Sequence, residues 1–309
     1  MLNVFLNAVL PIFGAVLLGF AGGRIGLFSN QEAQTFNRLV FYALLPPFFL
    51  YMVGTAPFSS FEPLYVVGYM AVAVLVNLTT FCITRFVFKR PILECVLFGF
   101  MAAFTNHTFF VLPIAQVIYG VDAVLPIVAV IATDTMIMYG ITVVILDCAS
   151  STSKVNPALK IITCIIKNPH AMSMLAGLGL NLMAVSFDNG LGVFTRFLGD
   201  AASPVSLFAL GIFLSAQKLT ENKMLVTTIS CMKLFVLPAC AAVMLIGVVG
   251  LPPSWTNAGV FAAAGPCGVL PFVLALQYRV NGGIISQVLL VTTFAASITL
   301  TTLAVLQGY

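Results

Sequence analysis

The sequence has very few charged residues. Only 7% of its 309 residues are Asp, Glu, Lys or Arg, whereas 61% are hydrophobic and the mean hydropathy is +1.12. A soluble domain carries about 25% charged residues, so a surface in contact with water cannot be built from this composition. Apolar runs of roughly 20 residues, long enough to cross the hydrocarbon core of a bilayer, follow one another along the chain. The composition therefore predicts an all-α integral membrane protein.

Histidines and paired cysteines are also scarce. The chain has two histidines, and none of its seven cysteines belongs to a Cys-x-x-Cys pair. This excludes a histidine-based metalloenzyme, and we expect no metal or other cofactor. The 13 basic residues are spread along the chain, so no nucleic-acid partner is expected. The expected surroundings are the lipid bilayer.

Turn-forming residues divide the chain into ten predicted transmembrane helices. Of the 13 Lys and Arg residues, 11 lie in or beside odd-numbered connections, whereas only Arg196 lies on the other side and Lys233 falls inside a helix. The positive-inside rule then predicts cytoplasmic odd connections, with both termini outside. The predicted helices cover residues 2–22, 35–55, 63–86, 92–118, 122–146, 168–186, 194–215, 223–249, 255–277 and 282–306.

The two halves of the chain are related by an offset of 158 residues. This offset aligns helix 1 with helix 6, helix 2 with helix 7 and helix 4 with helix 9. Because each half has five helices, the second half must enter the membrane from the opposite face. The sequence thus predicts two inverted repeats, residues 1–150 and 151–309, an architecture found in many secondary transporters. The aligned residues include Pro11 with Pro169, Pro46 with Pro204 and Pro113 with Pro271.

Helices 4 and 9 are predicted to be broken near the middle of the membrane. Each contains a proline, which removes a backbone donor and disturbs the preceding turn. Backbone groups freed in this way must be satisfied by protein, water or ligand. The half-helix N-termini that result carry partial positive charge and suit a carboxylate. The candidate substrate-binding residues are Thr105, Asn106, His107, Thr108, Pro113, Gly265, Pro266, Cys267 and Pro271.

A few ionisable residues lie within the predicted spans. Asp134, near the centre of helix 5, is either a proton-coupling site or a neutral carboxyl bonded to a neighbouring helix. His107 either titrates or is a neutral, hydrogen-bonded histidine at the break. Lys233 in helix 8 is interpreted as mainly structural, with its side chain snorkelling toward the cytoplasmic side. Arg196 and Asp200 are spaced for an i,i+4 ion pair.

Short motifs occur in a definite order along most of the chain. They include Leu10-Pro-Ile-Phe13, Asn37-Arg-Leu-Val-Phe-Tyr-Ala-Leu-Leu-Pro46, Leu112-Pro-Ile114, Lys167-Asn-Pro169, Lys233-Leu-Phe-Val-Leu-Pro238 and Pro271-Phe-Val-Leu-Ala-Leu-Gln-Tyr278. In this order the motifs resemble those of the auxin efflux carrier family, particularly its bacterial branch that includes malonate carriers. A departure is His107, followed by Phe109 and Phe110, where relatives usually have a small residue.

The resemblance implies a bile-acid-symporter-like fold of ten helices in which broken helices 4 and 9 cross. It implies a scaffold of helices 1, 2, 6 and 7, often dimeric, and a mobile transport domain of helices 3–5 and 8–10. The crossover asparagine of the family corresponds to Asn106, and its crossover prolines correspond to Pro113 and Pro271.

The sequence as a whole predicts a secondary transporter rather than an enzyme. Its expected substrate is a small organic anion, malonate-like or another short carboxylate, moved by alternating access across a bacterial inner membrane, with Asp134 as the coupling candidate. A sodium-coupled symporter of the bile-acid class remains an alternative, although oxygen ligands near the crossover are few. A membrane enzyme and a channel are further alternatives, but Asp134 has no obvious aspartate partner and the inverted repeat favours a carrier.

Overall fold

A computed structural model describes residues 5–150, 163, 166–217 and 222–309. All regular elements in these ranges are helices, which confirms the all-α class. Most of the predicted 147–167 connection and Lys154, Lys160 and Lys218 lie outside the described residues. The longer helices are α1 (Phe5–Arg24), α2 (Asn30–Gly54), α3 (Pro63–Val87), α4 (Ile92–Ala103), α5 (His107–Tyr119), α6 (Val124–Ala149), α7 (Pro169–Leu182), α8 (Gly190–Ser215), α9 (Lys223–Val248), α10 (Pro253–Ala264), α11 (Leu270–Gln277) and α12 (Gly283–Leu306).

Seven of the described helices are long and apolar enough to cross a membrane: α1, α2, α3, α6, α8, α9 and α12. They fall on predicted helices 1, 2, 3, 5, 7, 8 and 10. Predicted helix 4 consists of two shorter helices, α4 and α5, and predicted helix 9 consists of α10 and α11. Predicted helix 6 contains α7, which begins at Pro169 behind its N-cap, Asn168.

Two helices begin well before their predicted starts at residues 35 and 194, and each has a polar N-cap where it begins. Helix α2 starts at Asn30, where the Ser29 hydroxyl accepts a hydrogen bond from the Glu32 amide and the Glu32 carboxylate accepts one from the Ser29 amide. Helix α8 starts at Gly190, behind Asn189, whose side chain accepts from the next free amides. These caps satisfy donors that the first helical turn leaves without partners.

Widened, π-helical turns accompany several prolines. Because proline has no N–H, the carbonyl four residues earlier loses its usual partner, and a π turn accommodates the change without ending the helix. The helices therefore remain long enough to span a bilayer despite their prolines. Four π turns end two residues before a proline: Phe5–Val9 before Pro11, Val40–Leu44 before Pro46, His107–Val111 before Pro113 and Met232–Val236 before Pro238.

The described residues form two compact units. The smaller comprises residues 10–61 and 166–216, and it contains α2, α7, α8 and most of α1. Within it, α1 and α8 approach closely through glycines: a Cβ on Gly19 would lie 2.0 Å from the Phe208 carbonyl oxygen, and one on Gly211 would lie 2.1 Å from the Val16 carbonyl oxygen. On α8, the predicted pair of Arg196 and Asp200 is present, with Nε and Oδ2 4.0 Å apart.

The larger unit comprises residues 5–9, 62–150 and 222–309. It contains α3 to α6 and α9 to α12, and all the candidate site residues belong to it. Helix α3 packs on α4 at a point where a Cβ on Gly99 would lie 2.5 Å from the Asn77 side-chain oxygen. Large side chains that are fully buried in this unit include Phe98, Phe100, Phe110 and Phe261.

Candidate functional site

Two interrupted helices meet in the larger unit. Residues 104–106 separate α4 from α5, and residues 265–269 separate α10 from α11. The two unwound segments run antiparallel, with Thr105 bridged to Cys267. The Asn106 amide donates to the Pro266 carbonyl at 2.9 Å, and the Gly268 amide donates to the Phe104 carbonyl at 3.1 Å. Backbone groups that have no partner inside their own helix at one break are thus hydrogen-bonded by the other break. An apolar environment requires such pairing.

Glycines allow these two segments to approach. A Cβ on Gly265 would lie 2.4 Å from Val111 Cγ2 and 2.7 Å from Thr105 Cγ2, and one on Gly268 would lie 2.5 Å from the Phe104 ring. A Cβ at either position would therefore collide with side chains of the opposite segment. This close contact explains why glycine is found in the middle of an apolar span.

Pro113 and Pro271 lie after the breaks rather than in them. Pro271 is the second residue of α11, and Pro113 is the second residue of the α-helical part of α5, Leu112–Tyr119. The first turn of a helix, where Pro271 lies, tolerates proline because its amides have no partner inside the helix. Pro113 instead follows the π turn that begins α5. Both prolines therefore stand where regular α-helix begins.

The structure brings most of the predicted binding residues together at the two breaks. The side chain of Asn106 makes no hydrogen bond within the described part of the chain, although the residue is only 6% exposed. The Cys267 amide and thiol both contact the Thr292 hydroxyl of α12. Thr105, His107, Gly265 and Pro266 are also buried there; Thr108 and Pro113 are half-buried on α5, and Pro271 is buried at the start of α11.

The coupling candidate Asp134 reaches the same region from α6. Its Oδ2 atom lies 2.9 Å from His107 Nε2 at the start of α5, and both side chains are only 2% exposed. Asp134 is thus hydrogen-bonded to a neighbouring helix, with His107 as its partner, an arrangement compatible with either role considered for Asp134. The second oxygen, Oδ1, and the other ring nitrogen, Nδ1, have no hydrogen-bond partner among the described residues.

Lys233 is a site residue that the sequence interpretation missed. Its side chain does not snorkel: the residue is fully buried, and Nζ donates to Thr105 Oγ1 at 2.6 Å and to the Ala263 carbonyl at 3.0 Å. Both acceptors lie at the ends of interrupted helices. The signal in the sequence was a lysine inside an apolar run, but its direction could not be read from its position alone.

Two tyrosines of α3 also line this region and were not predicted. The rings of Tyr69 and His107 have centroids 6.1 Å apart, and the Tyr65 ring lies 6.2 Å from that of Tyr69. Both tyrosines are buried. Their spacing of four residues, which places them on one face of a helix, was the available signal.

Two interrupted helices that meet at their breaks, with buried polar side chains around them, are the arrangement expected of a carrier. A sequence profile described as "Membrane transport protein" matches residues 4–304. The chain belongs to the auxin efflux carrier family. Members of this family are transporters, and the seven span-length helices agree with an integral membrane protein.

Some relatives match nearly the whole chain, and others match only part of it. The "Putative malonate transporter" of Rhizobium meliloti (strain 1021) is 24% identical over 95% of this chain and 92% of its own length. The "Uncharacterized transporter YfdV" of Escherichia coli (strain K12) is 25% identical over 91% of this chain and 90% of its own. "Auxin efflux carrier component 7" of Arabidopsis thaliana is 30% identical over 40% of this chain and 20% of its own.

Proposed function

We propose that this carrier moves a small carboxylate, malonate-like or another short organic acid, across a bacterial inner membrane by alternating access. The observation that carries the proposal is the antiparallel contact between residues 104–106 and 265–269. It puts the N-terminal end of one half-helix, α5, beside an amide side chain, Asn106, that has no partner in the described chain. Free helical amides and a carboxamide are suitable donors for a carboxylate.

The substrate class also draws support from a relative. The Rhizobium meliloti relative, which matches nearly the whole chain, is described as a malonate transporter. Because the identity is only 24%, we transfer to this chain the class of substrate, a short carboxylate, and not malonate itself. The candidate binding residues remain those around the two breaks.

We further propose the ten-helix, inverted-repeat architecture implied by the family resemblance. In this proposal the smaller unit, which holds predicted helices 1, 2, 6 and 7, is the scaffold and the surface for a homodimer. The larger unit, which holds predicted helices 3–5 and 8–10, carries the substrate. The division of the described chain into these two groups of helices supports the assignment. The distribution of Lys and Arg supports cytoplasmic odd connections and outer termini.

Asp134 is proposed to couple transport to protons. A carboxyl buried in a span is costly unless it is paired or neutral. Here it is paired with His107, a residue type that gains and loses a proton near neutral pH. The pair lies beside the crossover, so its protonation state affects the electrostatic field that an incoming anion meets.

Uptake into proteoliposomes tests the proposed function. Purified protein is reconstituted, and labelled acetate, propionate, malonate and succinate are supplied with or without a pH gradient, in sodium or potassium buffer. We expect saturable uptake and counterflow of at least one carboxylate. Asn106→Ala should abolish it, whereas Asn281→Ala, in an exposed turn, should not. Full activity of the Asn106 variant would remove the site assignment, and uptake that requires sodium would favour the bile-acid-type symporter.

A further inference from the structure

The side-chain nitrogen of Lys233 lies buried where the two interrupted helices meet. An ammonium group has three N–H donors. Two are used here, toward Thr105 Oγ1 at 2.6 Å and the Ala263 carbonyl at 3.0 Å. The acceptors are 158 positions apart, the same offset that aligns the two halves of the sequence. Lys233 therefore bridges the ends of the two breaks, and one donor is left for another partner.

No carboxylate contacts the side-chain nitrogen of Lys233 directly. Among the described residues, none lies within 4.0 Å of this nitrogen, and both of its hydrogen-bond acceptors are neutral. Asp134 interacts with Lys233 only at longer range, because its Oδ2 atom is directed to His107. A buried ammonium without an anion is costly, so an anionic ligand gains more from this site than a neutral one.

We infer that Lys233 binds the carboxylate of the transported solute and selects anions over neutral molecules of the same shape. This inference rests on the proposed carboxylate transport and names the group that recognises the charge. Thr105 and the Ala263 carbonyl position the ammonium, and Asn106 supplies further hydrogen bonds to the same ligand. Charge-assisted hydrogen bonds of this kind are stronger than neutral ones.

A purely structural role for Lys233 makes a different prediction. Ala263 is one of the last residues of α10, where carbonyls lack partners inside the helix, so an ammonium there also caps the helix end. A cap affects the stability of the protein but does not distinguish an acid from its amide. Discrimination between these two ligands is therefore the deciding measurement.

The experiment measures ligand affinity in nanodiscs, using acetate, propionate, malonate and succinate and the corresponding primary amides. Wild-type protein, Lys233→Met, Lys233→Arg and a control, Lys223→Met, are compared. Lys223 is the exposed first residue of the same helix. We expect the wild type to prefer at least one acid over its amide, and Lys233→Met to weaken acid binding by about 30-fold or more, as for a truncated buried charge pair.

The other results separate this inference from the proposed function. Lys233→Arg should retain part of the preference for the acid, and Lys223→Met should behave as wild type. If the wild type binds an acid and Lys233→Met binds it equally well, the role of Lys233 is refuted while carboxylate transport stands. If no acid binds to the wild type, both fail. If Lys233→Met does not fold, the wild-type affinities for each acid and its amide are the deciding measurement. Equal affinities for an acid and its amide would overturn the inference.

Discussion

The imidazole of His107 and the carboxylate of Asp134 share a hydrogen bond in the interior of the larger unit, with Nε2 and Oδ2 2.9 Å apart. The two residues belong to α5 and α6. His107 Nδ1 and Asp134 Oδ1 are buried and have no partner within the described ranges. Among the described residues, Tyr65 and Tyr69 from α3 and Lys233 from α9 are the other titratable groups that interact with this pair.

Removing the charge of Asp134 should uncouple transport from the proton gradient. Asp134→Asn keeps the size of the side chain and a hydrogen bond to His107 but cannot exchange a proton. We expect carboxylate accumulation driven by a pH gradient to disappear while counterflow between equal solutions continues. Asp122→Asn, in an exposed turn, is the control. Undiminished pH-driven accumulation in the Asp134 variant would show that coupling lies elsewhere.

His107 should determine the pH profile of transport. His107→Gln retains an amide that can donate to Asp134 but, unlike an imidazole, cannot gain or lose a proton. We expect initial rates of counterflow to vary less with pH than those of the wild type. The control is His170→Gln in the smaller unit, where the ring contacts the Phe41 carbonyl. An unchanged profile for the His107 variant would exclude the histidine as the titrating group.

A methyl group at the crossover should impair transport more than folding. In Gly265→Ala the new Cβ would lie within 3.0 Å of side-chain atoms only, Val111 Cγ2 and Thr105 Cγ2, which can move. Moving Thr105 displaces the acceptor of the Lys233 side chain, so we expect roughly a tenfold loss of carboxylate affinity, which corresponds to about 1.4 kcal/mol. Gly247→Ala has no atom within 4 Å of the new Cβ and serves as the control. Affinities should be measured beside melting temperatures; equal carboxylate affinity in both variants would contradict the proposed contact.

The packing of α1 against α8 gives a prediction about stability alone. In Gly211→Ala the new Cβ would lie 2.1 Å from the Val16 carbonyl oxygen and 2.7 Å from the Phe20 amide, both of which are backbone atoms. Since backbone cannot rotate away, we expect a loss of about 1–3 kcal/mol in stability and a lower melting temperature. Gly14→Ala, on the same pair of helices, meets nothing within 4 Å and should be tolerated. A melting temperature equal to that of wild type for Gly211→Ala would argue against this helix contact.

Features that depend on local sequence were predicted well. The long spans follow from apolar runs, and the interruptions of predicted helices 4 and 9 follow from proline and glycine. The errors are also local: the capping residues Ser29 and Asn189 start α2 and α8 earlier than the apolar runs indicated. The prolines signalled the breaks but lie after them, because Pro113 and Pro271 stand where regular α-helix begins.

The sequence by itself determined that this chain is helical and lies in a membrane, because so few charges leave lipid as the only suitable surroundings and lipid requires backbone groups to be satisfied within each helix. Only the tertiary structure decided what the buried polar residues do. Lys233 meets Thr105 across 128 residues, and Asp134 meets His107 across 27. An apolar run predicts a membrane helix from the residues of that helix alone. Where a buried charged side chain points depends instead on which neighbouring helix supplies a hydrogen-bond partner.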